Sequence, residues 1–425
     1  MSLYPLDRKK GPEIHEIRSI ALPEVEVINL ADGTEVHCLQ TDYAPVVRME
    51  IVIDAGRLKE RYPLQSRAAA ALLKDGSTQY SREDISAITD RTGGAISIQA
   101  GLEFASIQIH SLESQFDLIL DIVQDVLLHP TYSETSLKKY IKRRKNRLKE
   151  DLSINEILAY RMLTEKLFGS EHPYGYNSTP EKYDQLNTES LRAFHRAHYL
   201  TGNMKIFLAC QHPDLILRKL KSVWANLPGG KTEDFEFKLN PDPGKRFDIK
   251  AVNYNQASIR IGKNLFPRHH PDFAGAYFIN TMLGGFFGSR LNREIREKQG
   301  LTYNIFSTIE TFKTAGFFLA GCEAGILNAD RVLNLIFLEI ERIQKGVIHT
   351  AEVQLVRNYL FGFFISMLDG PINTMELYKV LITEGGSIES FHQMLEKINL
   401  LNESDIVQLA KKHLKGEDMK VVIVR

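Results

Sequence analysis

One order of elements occurs twice along this 425-residue chain, and that recurrence constrains the fold more than any other feature. Residues 46–54 (VVRMEIVID) have strand composition and stop at Gly56. A helix follows over 64–74, then a short helix over 82–92 closed by Gly93-Gly94. Residues 95–100 and 104–110 alternate as a hairpin, with Ile96/Ile98 and Ile107/Ile109 at period two. An amphipathic helix over 116–128 is stopped by Pro130. The second half repeats the series: strand 257–262, helix 273–283, hairpin 301–308 with 316–322, helix 329–343. Self-similarity of this kind predicts internal duplication. The expected class is α+β: two tandem homologous sandwich domains, each a mainly antiparallel sheet with helices packed on one face.

The remaining elements fit around that series. Residues 1–22 read as a polar arm or edge strand, and 25–30 with 35–40 as a hairpin about Asp32-Gly33. A mostly continuous helix is expected over 134–168, with breaks near 153–155, then a helix over 191–199 and a strand over 203–209. Prolines, glycines and charges in LPGGKTEDFEFKLNPDPGKRF (227–247) mark a linker. The expected division is 1–228, a 229–246 linker and 247–425. Gly230-Lys231-Thr232 imitates a phosphate loop, but the first glycine that motif needs is Ala225.

The stretch GGFFGSRLNREIREKQGLTY (284–303) stands out chemically. Gly284, Gly285 and Gly288 predict a turn with backbone angles that other residues resist, closely approached by a neighbour. Leu291 and Ile295 give the following helix an apolar edge, Gly300 suits its C-cap, and 301–306 has strand composition. By local pattern, Arg296 is a surface charge and Tyr303 a half-buried strand aromatic.

These residues resemble the second-half signature of the pitrilysin/insulinase zinc peptidases, the inverted zincins. The resemblance lies in Gly284-Gly285, Ser289-Arg290-Leu291 and Arg296-Glu297-Lys298-Gln299-Gly300-Leu301-Thr302-Tyr303. It implies that Arg296 and Tyr303 bind substrate. Nearly the whole chain falls under it, because the family's unit is also a tandem repeat.

Peptide-cutting members carry H-x-x-E-H on the first-half helix, with a third acidic ligand on the next long helix; zinc activates water there. Aligned on Gly76, the motif falls on Arg67-Ala68-Ala69-Ala70-Ala71. Arg67 and Ala71 replace the histidines and Ala70 replaces the base. None of the three binds zinc or accepts a proton. The next helix reads KKYIKRRKNRLK over 138–149, eight basic residues in twelve, and is expected to present a solvated face. His195 and His198, three apart on a helix, lack a matching acid; His172-Pro173-Tyr174-Gly175 matches a family structural turn, and His269-His270 reads as loop chemistry.

Composition narrows the partners. Lys+Arg and Asp+Glu both number 53, so no global field favours nucleic acid or anionic membrane. No apolar run reaches about 18 residues, which predicts no membrane span. Cys38, Cys210 and Cys322 are too few and too scattered for a disulfide framework. The expected location is cytoplasmic, or periplasmic if a leader was removed. Three functional readings compete, one of them a peptidase with an unrecognised site. In the first, the chain is the non-catalytic, substrate-binding subunit of a heterodimeric zinc peptidase. It holds no cofactor itself and meets peptide together with a homologous H-x-x-E-H subunit that carries the zinc. In the second, it is a scaffold or peptide-binding protein without a role in proteolysis.

Overall fold

The computed structural model describes residues 11, 20–42, 44–250 and 256–425. Most of the 1–22 arm therefore lies outside the described residues, although Ile20 is buried against the second-half core.

The first half runs β1 (Glu26–Asn29), β2 (Glu35–Gln40), β3 (Val46–Ile53), α1 (Gln65–Leu73), α2 (Arg82–Thr92), β4 (Ala95–Ala100) and β5 (Ala105–Leu112). It continues with α3 (Phe116–Leu128), α4 (Glu134–Asp151), α5 (Asn155–Phe168), α6 (Pro180–Asp184), α7 (Thr188–His198), β6 (Met204–Cys210) and α8 (Pro213–Trp224). The second half runs β7 (Arg246–Ile249), β8 (Ala257–Leu265), α9 (Phe273–Asn280), β9 (Ile305–Thr311), β10 (Gly316–Ala324) and α10 (Ala329–Gln344). Four more helices follow, α11 (Thr350–Ser366), α12 (Gly370–Thr383), α13 (Ile388–Leu400) and α14 (Glu403–His413), before β11 (Lys420–Val424).

Local chemistry sets several boundaries. Ser81 and Asp84 form a reciprocal capping box on α2, and Gly93 ends that helix in the left-handed conformation. The break expected near 153–155 divides 134–168 into α4 and α5. On α4, Leu137, Tyr140 and Leu148 are buried while Lys138, Lys139, Lys142 and Arg143 are exposed, so its basic run is a solvated face.

The two sheets share one plan. Strand order is β1-β2-β6-β3-β5-β4 in the first and β7-β11-β8-β10-β9 in the second. Apart from β1 the pairings correspond: β2–β6 and β7–β11 are parallel, and the rest are antiparallel. The chain is thus α+β, with two sheets of mainly antiparallel strands.

Each sheet is covered on both faces, which sequence periodicity alone did not disclose. Along β10 and β11, Phe318, Ala320, Val421 and Ile423 enter the core under the second half's own helices. The alternate residues Phe317, Leu319, Val422 and Val424 pack instead with Leu163, Leu167 and Phe168 of α5, a first-half helix. Reciprocally, Met375 of the second-half α12 packs on Val52, Phe207 and Ala209 of the first sheet. Ion pairs accompany this exchange: Arg48–Glu376 at 3.1 Å, Lys379–Glu50 at 2.9 Å and the buried Arg260 with Glu156 at 3.0 Å. Exchanged helices bind the halves together and fix how each half's loops are presented.

Candidate functional site

The glycine-rich segment begins where α9 widens into a π-type turn over Thr281–Gly285. None of Gly284, Gly285 and Gly288 takes a left-handed conformation, which corrects the expectation of unusual backbone angles. Close approach is the operative reason at Gly284: a Cβ there would lie 2.5 Å from the backbone nitrogen of Ser307 on β9.

After the turn, four side chains hold the segment in place. Leu291 and Ile295 are fully buried in the second-half core. Asn292 Nδ2 donates to the carbonyl oxygens of Phe286 and Ile305, both at 3.1 Å. Arg290, 3% exposed, donates to both carboxylate oxygens of Glu352 on α11, at 2.8 and 2.6 Å, and to Val347 O at 2.7 Å. The predicted charged helix is π-wound over Asn292–Glu297, with Lys298 N donating to Arg293 O at 3.0 Å. Such winding recurs at functional sites.

Arg296 is half-buried on this π-turn. Its Nη1 reaches Asn292 Oδ1 at 3.4 Å, and its guanidinium lies 4.7 Å from the centroid of the Phe287 ring. Asn292 and Phe287, which aim Arg296, were not among the predicted residues; the four-residue spacing of Asn292 and Arg296 is the signal that was available. Gly300 has φ +60°, and the N–H of Leu301 donates to Ile295 O at 3.1 Å, so the C-cap forms as expected.

Tyr303 does not sit in a strand. β9 begins at Ile305, because Thr302 Oγ1 donates to Glu323 O at 2.6 Å and accepts from Asn304 N at 3.2 Å. This local turn diverts the backbone before pairing starts. Tyr303 consequently stands 94% exposed, and its hydroxyl has no hydrogen-bond partner among the described residues. Arg296 and Tyr303 lie at the two ends of one short turn and are not in contact among the contacts described.

The degenerate positions lie on α1. Ala70 is fully buried in the first-half core and Ala71 is half-buried against it. Arg67 points out of that core and makes no hydrogen bond or ion pair among the described residues. A guanidinium and two methyl groups offer no donor set for zinc. Among the described residues, no group of three or more His, Cys, Asp and Glu side chains is placed to hold a metal.

The other histidines have structural surroundings. His195 and His198 are buried; burial, with Arg196 beside the first and Lys59 beside the second, holds both at a pKa of about 4. His195 stacks on Tyr199 at 4.5 Å between ring centroids. His172 Nδ1 accepts from Tyr174 N at 3.1 Å inside its turn, and His270 Nδ1 accepts from Asp272 N at 3.1 Å. Thr232 N donates to Asn203 Oδ1 at 3.0 Å, so the phosphate-loop fragment is tied to the first half. Cys38, Cys210 and Cys322 are buried free thiols. No helix among the described residues is long and apolar enough to cross a membrane.

With two like-built sheets, a glycine-rich turn carrying an arginine, and first-half positions emptied of zinc donors, the molecule has the form of a peptidase-like protein. Residues 185–360 match the family model described as the peptidase M16 inactive domain. That segment is similar to the M16 peptidases, the pitrilysin/insulinase group the sequence resembles. Among solved structures, the chain is similar to a peptidase M16 inactive domain from Pseudomonas fluorescens. That likeness has a TM-score of 0.87 and 21% identity and covers 94% of this chain and 98% of that one. A protease from Helicobacter pylori gives a TM-score of 0.85 at 16% identity, covering 95% and 100%. An uncharacterized zinc protease of Bacillus subtilis is 21% identical over 82% of this chain and 85% of its own length. Subunit 2 of the rat mitochondrial cytochrome b-c1 complex is 19% identical over 93% and 88%.

Proposed function

We propose that this chain is the non-catalytic, substrate-binding subunit of a heterodimeric zinc peptidase. In this reading, Arg296 and Tyr303 are presented to a zinc site carried by a homologous H-x-x-E-H subunit. The observation that carries it is Tyr303, a tyrosine 94% exposed at the end of a segment anchored by the buried Arg290, Leu291, Asn292 and Ile295. A scaffold gains nothing from that side chain, whereas a peptide carbonyl accepts a hydrogen bond from its hydroxyl. Arg296, aimed by Asn292 and Phe287, supplies a fixed charge and several donors to the same peptide. Donors arranged beforehand act mainly on the charge that develops during reaction.

The test is reconstitution with the H-x-x-E-H subunit, followed by peptide turnover for Arg296→Ala and Tyr303→Phe. Each variant is expected to lose on the order of a hundredfold in kcat with complex affinity unchanged. Unaltered turnover in both variants overturns the proposal. The scaffold reading then takes its place, and the likeness to the cytochrome b-c1 subunit, extending over 93% of this chain, is the observation that favours it.

A further inference from the structure

A cavity of about 230 Å³ opens beside the degenerate zinc position, between the start of α1, α5 and the second-half β9–β10 hairpin. Three guanidinium groups line it, those of Arg57, Arg67 and Arg161, and no carboxylate does. Tyr160, Phe312 and Phe317 supply aromatic walls. Where relatives with H-x-x-E-H would gather ligands for a cation, this chain gathers cations.

The nearby acids are already committed. Glu60 accepts from Leu64 N at 3.0 Å, Ser66 N at 3.0 Å, Ser66 Oγ at 2.6 Å and the Tyr176 hydroxyl. Glu165 accepts from Asn177 Nδ2 at 2.8 Å, and Asp151 pairs with Arg147 at 3.0 Å. The arginines keep donors free. Arg57 lies flat on Tyr176, 3.1 Å from the ring centroid, and donates through Nη2 to Tyr176 O; its buried Nε has no partner among the described residues. Arg161 uses Nη1 and Nη2 on Ser178, and Arg67 has no partner among the described residues. Burial, reinforced by Arg67, pulls the pKa values of Arg57 and Arg161 below the ordinary arginine range. Three like charges gathered around one cavity are stabilised by an anion between them.

We propose that this cavity is a carboxylate pocket for the end of a peptide, its anion seated among Arg57, Arg67 and Arg161 and an adjoining apolar side chain against Tyr160, Phe312 and Phe317. Guanidinium forks match carboxylates in plane and charge. The volume is below the ~300–1,000 Å³ of pockets that enclose whole small molecules, which suits one terminal residue. A C-terminal carboxylate and an Asp or Glu side chain offer the same chemistry. The assignment needs neither the second subunit nor the Arg296/Tyr303 reading.

The experiment uses the full chain alone, so its outcome is read separately from reconstituted turnover. Fluorescence anisotropy compares three labelled probes: Gly-Ala-Ala-Leu-Phe with a free carboxylate, the same peptide amidated, and amidated Gly-Ala-Ala-Glu-Phe. The free acid is expected to bind roughly tenfold to a hundredfold more tightly than its amide. Tight binding by the amidated glutamate probe assigns the pocket to side-chain carboxylates; weak binding assigns it to chain ends. Arg67→Ala is expected to remove the preference, and Lys142→Ala, an exposed charge on α4, to keep it. Arg67→Glu, also at an exposed position, is expected to repel both acids while melting as the parent does. The pocket assignment is overturned if neither carboxylate probe binds more tightly than the amide, or if the preference survives Arg67→Ala.

Discussion

Arg290 and Glu352 meet fork to fork: Nε lies 2.8 Å from Oε1 and Nη2 lies 2.6 Å from Oε2. The pair joins the glycine-rich segment to α11, and the arginine is 3% exposed. This motif arginine is therefore committed inside the fold through Nε and Nη2. Removing it leaves the half-buried Glu352 carboxylate with only Arg293, 4.0 Å away; losing one partner of a buried pair costs up to about 3–5 kcal/mol. Arg290→Ala is expected to show that loss in urea denaturation. Arg290→Met with Glu352→Leu is expected to recover most of it, because replacing a buried pair together is often close to neutral.

Arg296 and Tyr303 belong to the opposite category. One makes a single long hydrogen bond and a ring contact, and the other is almost wholly in solvent. Arg296→Ala and Tyr303→Phe are expected to stay within about 0.5 kcal/mol of the parent in chemical denaturation. A loss above about 2 kcal/mol in either would make that residue part of the fold.

The comparison with the sequence can be made residue by residue. Strands were legible because alternation is local: Ile96, Ile107 and Ile109 face one core as their spacing requires. Helix ends were legible where capping chemistry is local, as at Gly93 and Gly300. Tyr303 was misplaced because the Thr302 hydroxyl bonds a carbonyl of residue 323, which composition does not reveal. The glycines were read for both backbone freedom and close approach; the approach holds at Gly284, but its neighbour, Ser307 on another strand, is not visible in the sequence. The reciprocal packing of α5 and α12, and the meeting of Arg57, Arg67 and Arg161, depend on tertiary folding across long separations in the chain.

Acid should weaken the fold through His195 and His198. Both have folded pKa values of about 4, below the 6.5 of an ordinary histidine, chiefly because of burial. Between those values the unfolded chain binds more protons, so stability present above pH 6.5 is lost as pH falls toward 4. For His195 the shift corresponds to roughly 3 kcal/mol at the acid limit. His195→Phe is expected to flatten the decline of Tm between pH 7 and pH 5. An unchanged slope would show that other groups govern acid unfolding.

Gly284 provides the sharpest test of why the glycine turn exists. Its Cα lies so close to β9 that a methyl group would stand 2.5 Å from Ser307 N, 2.7 Å from Ser307 Oγ and 3.0 Å from Leu291 Cδ1. The first of these is backbone inside a paired strand, and Ser307 Oγ is fixed by donating to Asn280 O at 3.0 Å. Neither can retreat without opening the sheet or lifting the π-turn. Overpacking of this kind costs about 1–3 kcal/mol. Gly284→Ala is therefore expected to lower stability by that amount and to shift Arg296, which the same segment carries. Gly285 is the matched control: it is exposed, and an added Cβ there would meet nothing nearer than 3.4 Å. Gly285→Ala is expected to change stability by no more than about 0.5 kcal/mol. Equal losses at the two positions would mean that turn flexibility, and not the close approach to β9, is what the pair of glycines supplies.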